Sequence, residues 1–204
     1  MQSLLDYLGS MILGGALIGI IMSANDMASE NQSVYNGDML VQEMLVQTAH
    51  MLEGEFRNMG MGVPENERSV LAADTSSITF LYDMDRNGVA DTLRYYAGTP
   101  SEFPGTQNEL DKPLYRKVND GSADKISAIT VFRLRYLTRV GEVLPTPVPA
   151  TRLSEIHAVE LTLEVQNPYA IHRSASMTPT GQRDALWSSS LWQQTRLASQ
   201  NSRR

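Results

Sequence analysis

The chain contains no cysteine. Disulfides, thiol catalysis and Cys-ligated zinc are therefore excluded, while the compartment stays open because cysteine-free chains occur on either side of a membrane. No lysine or arginine precedes Arg57, and no proline precedes Pro64. Nothing basic is thus available to hold the C-terminal flank of the opening apolar run in the cytoplasm, and nothing before Pro64 obliges a helix to break. Basic clusters are scarce throughout. The 17 Lys and Arg are scattered among 23 acids, the net charge is -6, and the one basic cluster is Arg203 with Arg204 at the end. A nucleic-acid partner, which needs clustered cations, is not expected. Catalytic patterns are missing as well. His50, His157 and His172 lie far apart with no paired ligand at metal spacing, and there is no G-x-S-x-G elbow. The Gly-Met-Gly around Met61 follows a helical pattern instead of opening one, so it is no phosphate loop. The chain is expected not to be an enzyme and to require no cofactor.

What is present begins with MQSLLDYLGSMILGGALIGIIM. Leu4 to Met22 is about 19 residues, close to the roughly 20 that a helix needs to cross the hydrocarbon of a bilayer. The segment lacks a small-residue cleavage site and is expected to stay on. Gly15 and Gly19 have small-xxx-small spacing, which lets helix backbones approach closely in lipid. With its first cation at Arg57, the rest of the chain is expected outside the cytoplasm, making a single-pass protein of the inner (cytoplasmic) membrane. The other reading is a buried helix of a soluble core, but such a helix is not apolar on every face. Asp6 has two readings: a carboxylate inside lipid, costly unless paired with a neighbour, or a hydrated interfacial charge at the helix N-terminus.

After Met22, apolar residues recur at Met27, Val34, Val41, Met44, Leu45, Thr48, Leu52 and Phe56, mostly three, four or seven apart. This is helical periodicity. Gly37 is a candidate bend, and Gly60, Gly62 and Pro64 supply stop signals. Short β-rich runs follow at 76–82, 91–97, 113–118, 128–140 and 156–165, the last two with clear in–out alternation. GEVLPTPVPATRLSE and SASMTPTGQRDALWSSS read as loops. The order of one long helix and then an antiparallel sheet predicts an α+β fold. The expected divisions are 1–24, a membrane helix; 25–60, its amphipathic continuation; and 61–204, a β-rich extracytoplasmic domain. The eleven methionines read as adaptable packing residues, and Trp187 and Trp192 as core or edge packing.

The sharpest local pattern is YDMDRNGVADTLRYY. Side-chain oxygens fall at Asp83, Asp85, Asn87 and Asp91, Gly88 stands where a calcium loop turns, and the Val89 carbonyl can add a ligand. Arg94 occupies the place of an EF-hand's closing glutamate, and the flanks read as strands. Two readings stay open: a hairpin turn in which Asn87 and Gly88 adopt positive φ, and the same turn holding Ca2+.

An apolar N-terminal helix continuing to EFRNMGMG, then SITFLYDMDRNGVADTLRYY, ITVFRLRYL and HAVELTLEV, resembles the minor pilins of type IV pili and the minor pseudopilins of type II secretion, the PilW-like and GspJ-like group. The likeness covers about residues 10 to 195 and lies more in the order of the pieces than in any one of them. It implies a pilin-like fold and a non-enzymatic structural subunit in a pilus or pseudopilus. Its partners would be other pilin-like subunits, met through N-terminal helices in the membrane, with Asp6, Gly15 and Gly19 at that contact and Asp6 standing for the family's carboxylate. The chain begins Met1-Gln2-Ser3 and reaches its acid as Leu5-Asp6-Tyr7, without the basic leader and cleavage signature usual in the family. Processing and N-methylation are therefore not carried over. The alternative function is a membrane-tethered, extracytoplasmic calcium- or ligand-binding module that does not polymerise.

Overall fold

With no proline and no run of β-branched residues to interrupt it, the first stretch forms one helix, α1 (Gln2–Arg57), about 84 Å long at about 1.5 Å per residue. The structure is a computed structural model that describes residues 2–64, 66–104, 106, 108–167, 171–177, 183–187 and 190–198. The two halves of α1 live in different surroundings. Tyr7, Met11, Ile12, Leu13, Ile18, Ile20 and Ile21 are all exposed, and none of the helix's most apolar 18-residue window is buried. Farther on, Val41, Leu45, Thr48, Ala49, Leu52 and Phe56 are buried, spaced so that they lie on one face. That face runs along strands of the globular part. The helix is long and apolar enough to cross a membrane.

Five strands form an antiparallel meander: β1 (Val70–Ala73), β2 (Ser77–Tyr82), β3 (Asp91–Ala97), β4 (Lys112–Val118) and β5 (Ala123–Ile129). A second sheet, ordered β10-β7-β6, joins β6 (Val131–Leu137), β7 (Ala158–Gln166) and β10 (Ser190–Ala198). A hairpin pairs β8 (Ile171–Met177) with β9 (Arg183–Trp187). The expected α+β class, a long helix packed on antiparallel sheet, is what the chain adopts. Alternation explains the core: Ile78, Phe80 and Tyr82 of β2, Leu93 and Tyr95 of β3, and Leu161, Leu163 and Val165 of β7 all turn inward with Leu52 and Phe56 of α1. Phe56 meets Phe80 and Tyr95 edge-on, at 5.4 and 5.7 Å between ring centroids, a favourable aromatic geometry. The sheets are stitched by backbone bonds from Leu134 N–H to the Thr75 carbonyl, 2.7 Å, and from Val148 N–H to the Ala73 carbonyl, 2.8 Å.

Three expectations about the fold are corrected. The run 128–140 is not one strand: it breaks at Thr130, with β5 in the first sheet and β6 in the second. Period-two alternation continues across such a break and cannot report it. The segment 174–190, read as loop, contributes its described residues to β8, β9 and the first position of β10; its Ser, Thr, Gly and Pro content hid the hairpin. Trp187 and Trp192 lie on β9 and β10, and their side chains lie outside the described residues. Gly37 does not interrupt α1, which is continuous through it. A Cβ there would stand 2.3 Å from the Asn167 side-chain nitrogen. Asn167, fully buried just past β7, donates from Nδ2 to Asp38 Oδ1 at 3.0 Å and toward the Val34 carbonyl at 3.4 Å. Glycine is used here for close approach, and it ties the middle of the helix to the end of β7.

Candidate functional site

Two polar constellations sit where the C-terminal end of α1 meets the first sheet. The helix closes at Gly60 and Gly62, both at positive φ (80° and 73°), as helix stops commonly do. The same turn then docks on β2: Gly60 N–H donates to the Leu81 carbonyl and Asp83 N–H to the Met61 carbonyl, each at 2.8 Å. A Cβ on Gly62 would lie 2.5 Å from the Cβ of Asp83. Only glycine allows the turn and the strand end to come this close.

From that seat the loop 83–90 joins β2 to β3. Tyr82 and Asp91 are the last paired residues, so the turn is longer than a tight Asn-Gly hairpin. Its positive-φ residues are Arg86 (59°) and Gly88 (87°), which corrects the assignment of that role to Asn87. Asp83, Asp85 and Asp91 converge, with one oxygen from each lying within 4.8 Å of the others. Asp83 is buried, Asp85 exposed and Asp91 intermediate. All six of their oxygens accept an N–H: Asp83 from Asn87 (3.0 Å) and Gly88 (2.9 Å), Asp85 from the backbone (3.2 Å) and side chain (2.9 Å) of Asn87, and Asp91 from Met84 (3.1 Å) and the Asn119 side chain (2.8 Å). These donors offset the mutual repulsion of three carboxylates. Each oxygen keeps a second lone pair, so the cluster can also face a hard cation. Asn87 and Val89 serve the loop itself: Asn87 Oδ1 accepts the Val89 N–H at 2.7 Å.

Beside the loop lies a cluster that the sequence analysis missed. Glu55 of α1 accepts from Arg116 of β4, Oε1 to Nη2 at 2.7 Å, with a second contact from Nε at 3.1 Å. The Tyr95 hydroxyl of β3 donates to Glu55 Oε2. Arg116 also touches the Met84 sulfur of the acidic loop, 3.7 Å away. The partners stand 61 and 40 positions apart, beyond the reach of any local pattern. The one hint is an acid directly beside the buried Phe56. Burial, then the Glu55 charge, pushes the Tyr82 hydroxyl up to about 12 from an ordinary 10. Tyr95 is raised further by burial and then Glu55, and Tyr136 by burial and then Asp74.

These phenols hold their protons more tightly folded than unfolded, so their contribution is intact below pH 10 and is lost as pH rises through about 12. Alkaline titration should give a phenolate absorbance step that coincides with loss of far-ultraviolet circular dichroism. Ionisation of every tyrosine near pH 10 with the fold intact would contradict it.

Asp6, Gly15 and Gly19 are not brought near any of this. All three are exposed, and among the described residues nothing lies within 4 Å of where a Cβ on either glycine would sit. His50 is exposed on α1. No family model matches the chain, and neither a curated protein nor a solved structure matches it.

Proposed function

We propose that the chain is a non-enzymatic, pilin-like structural subunit, held in the cytoplasmic membrane by residues 4–22 and displaying its α+β domain outside. It assembles with other pilin-like subunits of a type IV pilus or type II secretion-like system through that helix. The observation that carries this proposal is the division of α1: no residue of its most apolar 18-residue window is buried, while its second half supplies core residues from Val41 to Phe56. An apolar rod joined without a break to a packed domain needs lipid or sibling rods around it. Gly15 and Gly19 offer open backbone for a close helix neighbour, and the first cation at Arg57 supports the outward orientation. The resemblance to minor pilins supplies the system.

Asp6 is the carboxylate that recognises a neighbour. Replacing it by alanine should leave the domain folded and reduce co-purification of partner subunits about tenfold, the equivalent of one charged contact of about 1.4 kcal/mol. Undiminished capture of partners would remove Asp6 from the contact.

The second reading, a tethered calcium module that does not polymerise, is favoured by the convergence of Asp83, Asp85 and Asp91. If it holds, calorimetry with millimolar calcium gives heat, and calcium at about 100 times its dissociation constant raises stability by about 2.7 kcal/mol. Asp85→Ala should erase that gain and change little without calcium. No heat and no shift would reject a metal at this loop.

A further inference from the structure

Two surfaces remain that neither the core nor the acidic loop uses. The first is the outward face of the five-stranded sheet. Because alternate residues turn away from the core, Arg94 and Tyr96 of β3 and Tyr115 and Lys117 of β4 point outward, opposite their buried neighbours Leu93, Tyr95 and Leu114. Tyr96 and Tyr115 stack at 5.0 Å between centroids, and the Arg94 guanidinium lies over Tyr96 at 4.8 Å. Lys125 is held beside Tyr115 by the Glu102 carbonyl, 3.2 Å from Nζ, and the Glu102 carboxylate takes the Tyr115 hydroxyl at 2.8 Å. Arg94 and Lys117 stand directly opposite each other across the strands. Like charges so placed are destabilising, and among the described residues neither has an ion-pair partner.

The second surface is the face of α1 turned away from its buried stripe. Asn36, Met39, Leu40, Gln42, Glu43 and Val46 lie together on an open face there, with Met39 70% and Leu40 53% exposed. This face begins about 20 Å along the helix from Met22, at about 1.5 Å per residue, so lipid does not cover it. Glu43 is its only charge, and α1 carries no Lys or Arg before Arg57.

We infer that the cationic, tyrosine-bearing face of the sheet docks on the Glu43 face of α1 in a second copy of this chain. Charge complementarity selects the occupant: Glu43, whose carboxylate accepts from the Gln47 side chain at 2.9 Å beside exposed Met39 and Leu40, meets two cations that have no ion-pair partner among the described residues. The two faces lie on opposite sides of the packed core and cannot meet within one molecule. The contact is therefore heterologous, each copy presenting its sheet to the helix of the next, and a heterologous contact that does not close on itself propagates a row or helix of subunits. The inference rests on the proposed assembly function and gives it a second contact outside the membrane.

The natural absence of cysteine makes the test direct. Full-length Met39→Cys and Thr79→Cys proteins are mixed in nanodiscs and treated with a short bismaleimide. The expected product is the mixed 39–79 dimer, in excess of 39–39 and 79–79. Adding Glu43→Lys to the first partner should cut its yield at least tenfold, and Arg94→Glu with Lys117→Glu in the second should restore it. Insensitivity to these charge reversals, dominance of the symmetric products, or no 39–79 product would overturn the inference. A parallel Gly15→Cys protein reports helix contact in the membrane: cross-linking there without a 39–79 product rejects this docking alone, while loss of both rejects assembly itself.

Discussion

Arg116→Ala should lower the stability of the folded domain by about 3 kcal/mol, the lower end of what breaking a buried ion pair costs. The lower end applies because the two side chains retain 19% and 16% of their exposure. For a chain of this size that is a fall in melting temperature of about 10 °C. The loss has a specific origin. Glu55 would be left between Tyr95 and Tyr82 with its charge unopposed, where burial already pushes both phenols up. Replacing Glu55 and Arg116 together by methionine should recover most of the deficit, since two apolar side chains of similar volume need no counter-ion. Thermal melts of the two variants check this. A double variant no better than Arg116→Ala would mean that the pair contributes chiefly through packing.

Gly37→Ala should destabilise by about 2 kcal/mol even though alanine is the better helix former by about 1 kcal/mol. A Cβ at this position falls 2.3 Å from the Asn167 side chain. Asn167 is fully buried, so it cannot swing into solvent and must lose its bond to Asp38. Overpacking and a lost buried hydrogen bond each cost about 1 to 3 kcal/mol, which outweighs the propensity gain. Asn167→Ala in the Gly37→Ala background should remove the clash and restore part of the stability, as urea unfolding would show. If Gly37→Ala alone stabilises the protein, helix propensity governs the position and the close approach does not.

The elements legible in sequence were those that carry a period. The helix from Gln2 was read by its missing prolines and its Val41, Leu45, Leu52, Phe56 spacing. β2, β3, β4 and β7 were read by alternation and by Gly and Asp punctuation, and the class followed from their order. The acidic loop was legible because its ligand-type residues lie within nine positions. Pairings across the chain were not legible: Glu55 with Arg116, Gly37 with Asn167, and Gly62 with Asp83 are set by how sheets and helix meet, which no local pattern encodes. The weaker strands β1, β5, β8, β9 and β10 were missed because their residues are small, polar or charged, so that pairing in the sheet overrides their propensity. The outward row of Arg94 and Lys117 could not be recognised either, since cross-strand register brings together cations that are 23 positions apart in sequence.

On the proposed function, residues 4–22 cross a membrane and place the α+β domain on its outer side. The most direct measurement uses Val140, 88% exposed in the domain, changed to the chain's single cysteine and probed with a membrane-impermeant maleimide in sealed right-side-out vesicles from expressing cells. The expected result is full labelling before permeabilisation, on protein that stays in the membrane pellet through alkaline extraction. Labelling only after the vesicles are opened, or protein released to the supernatant, would contradict it.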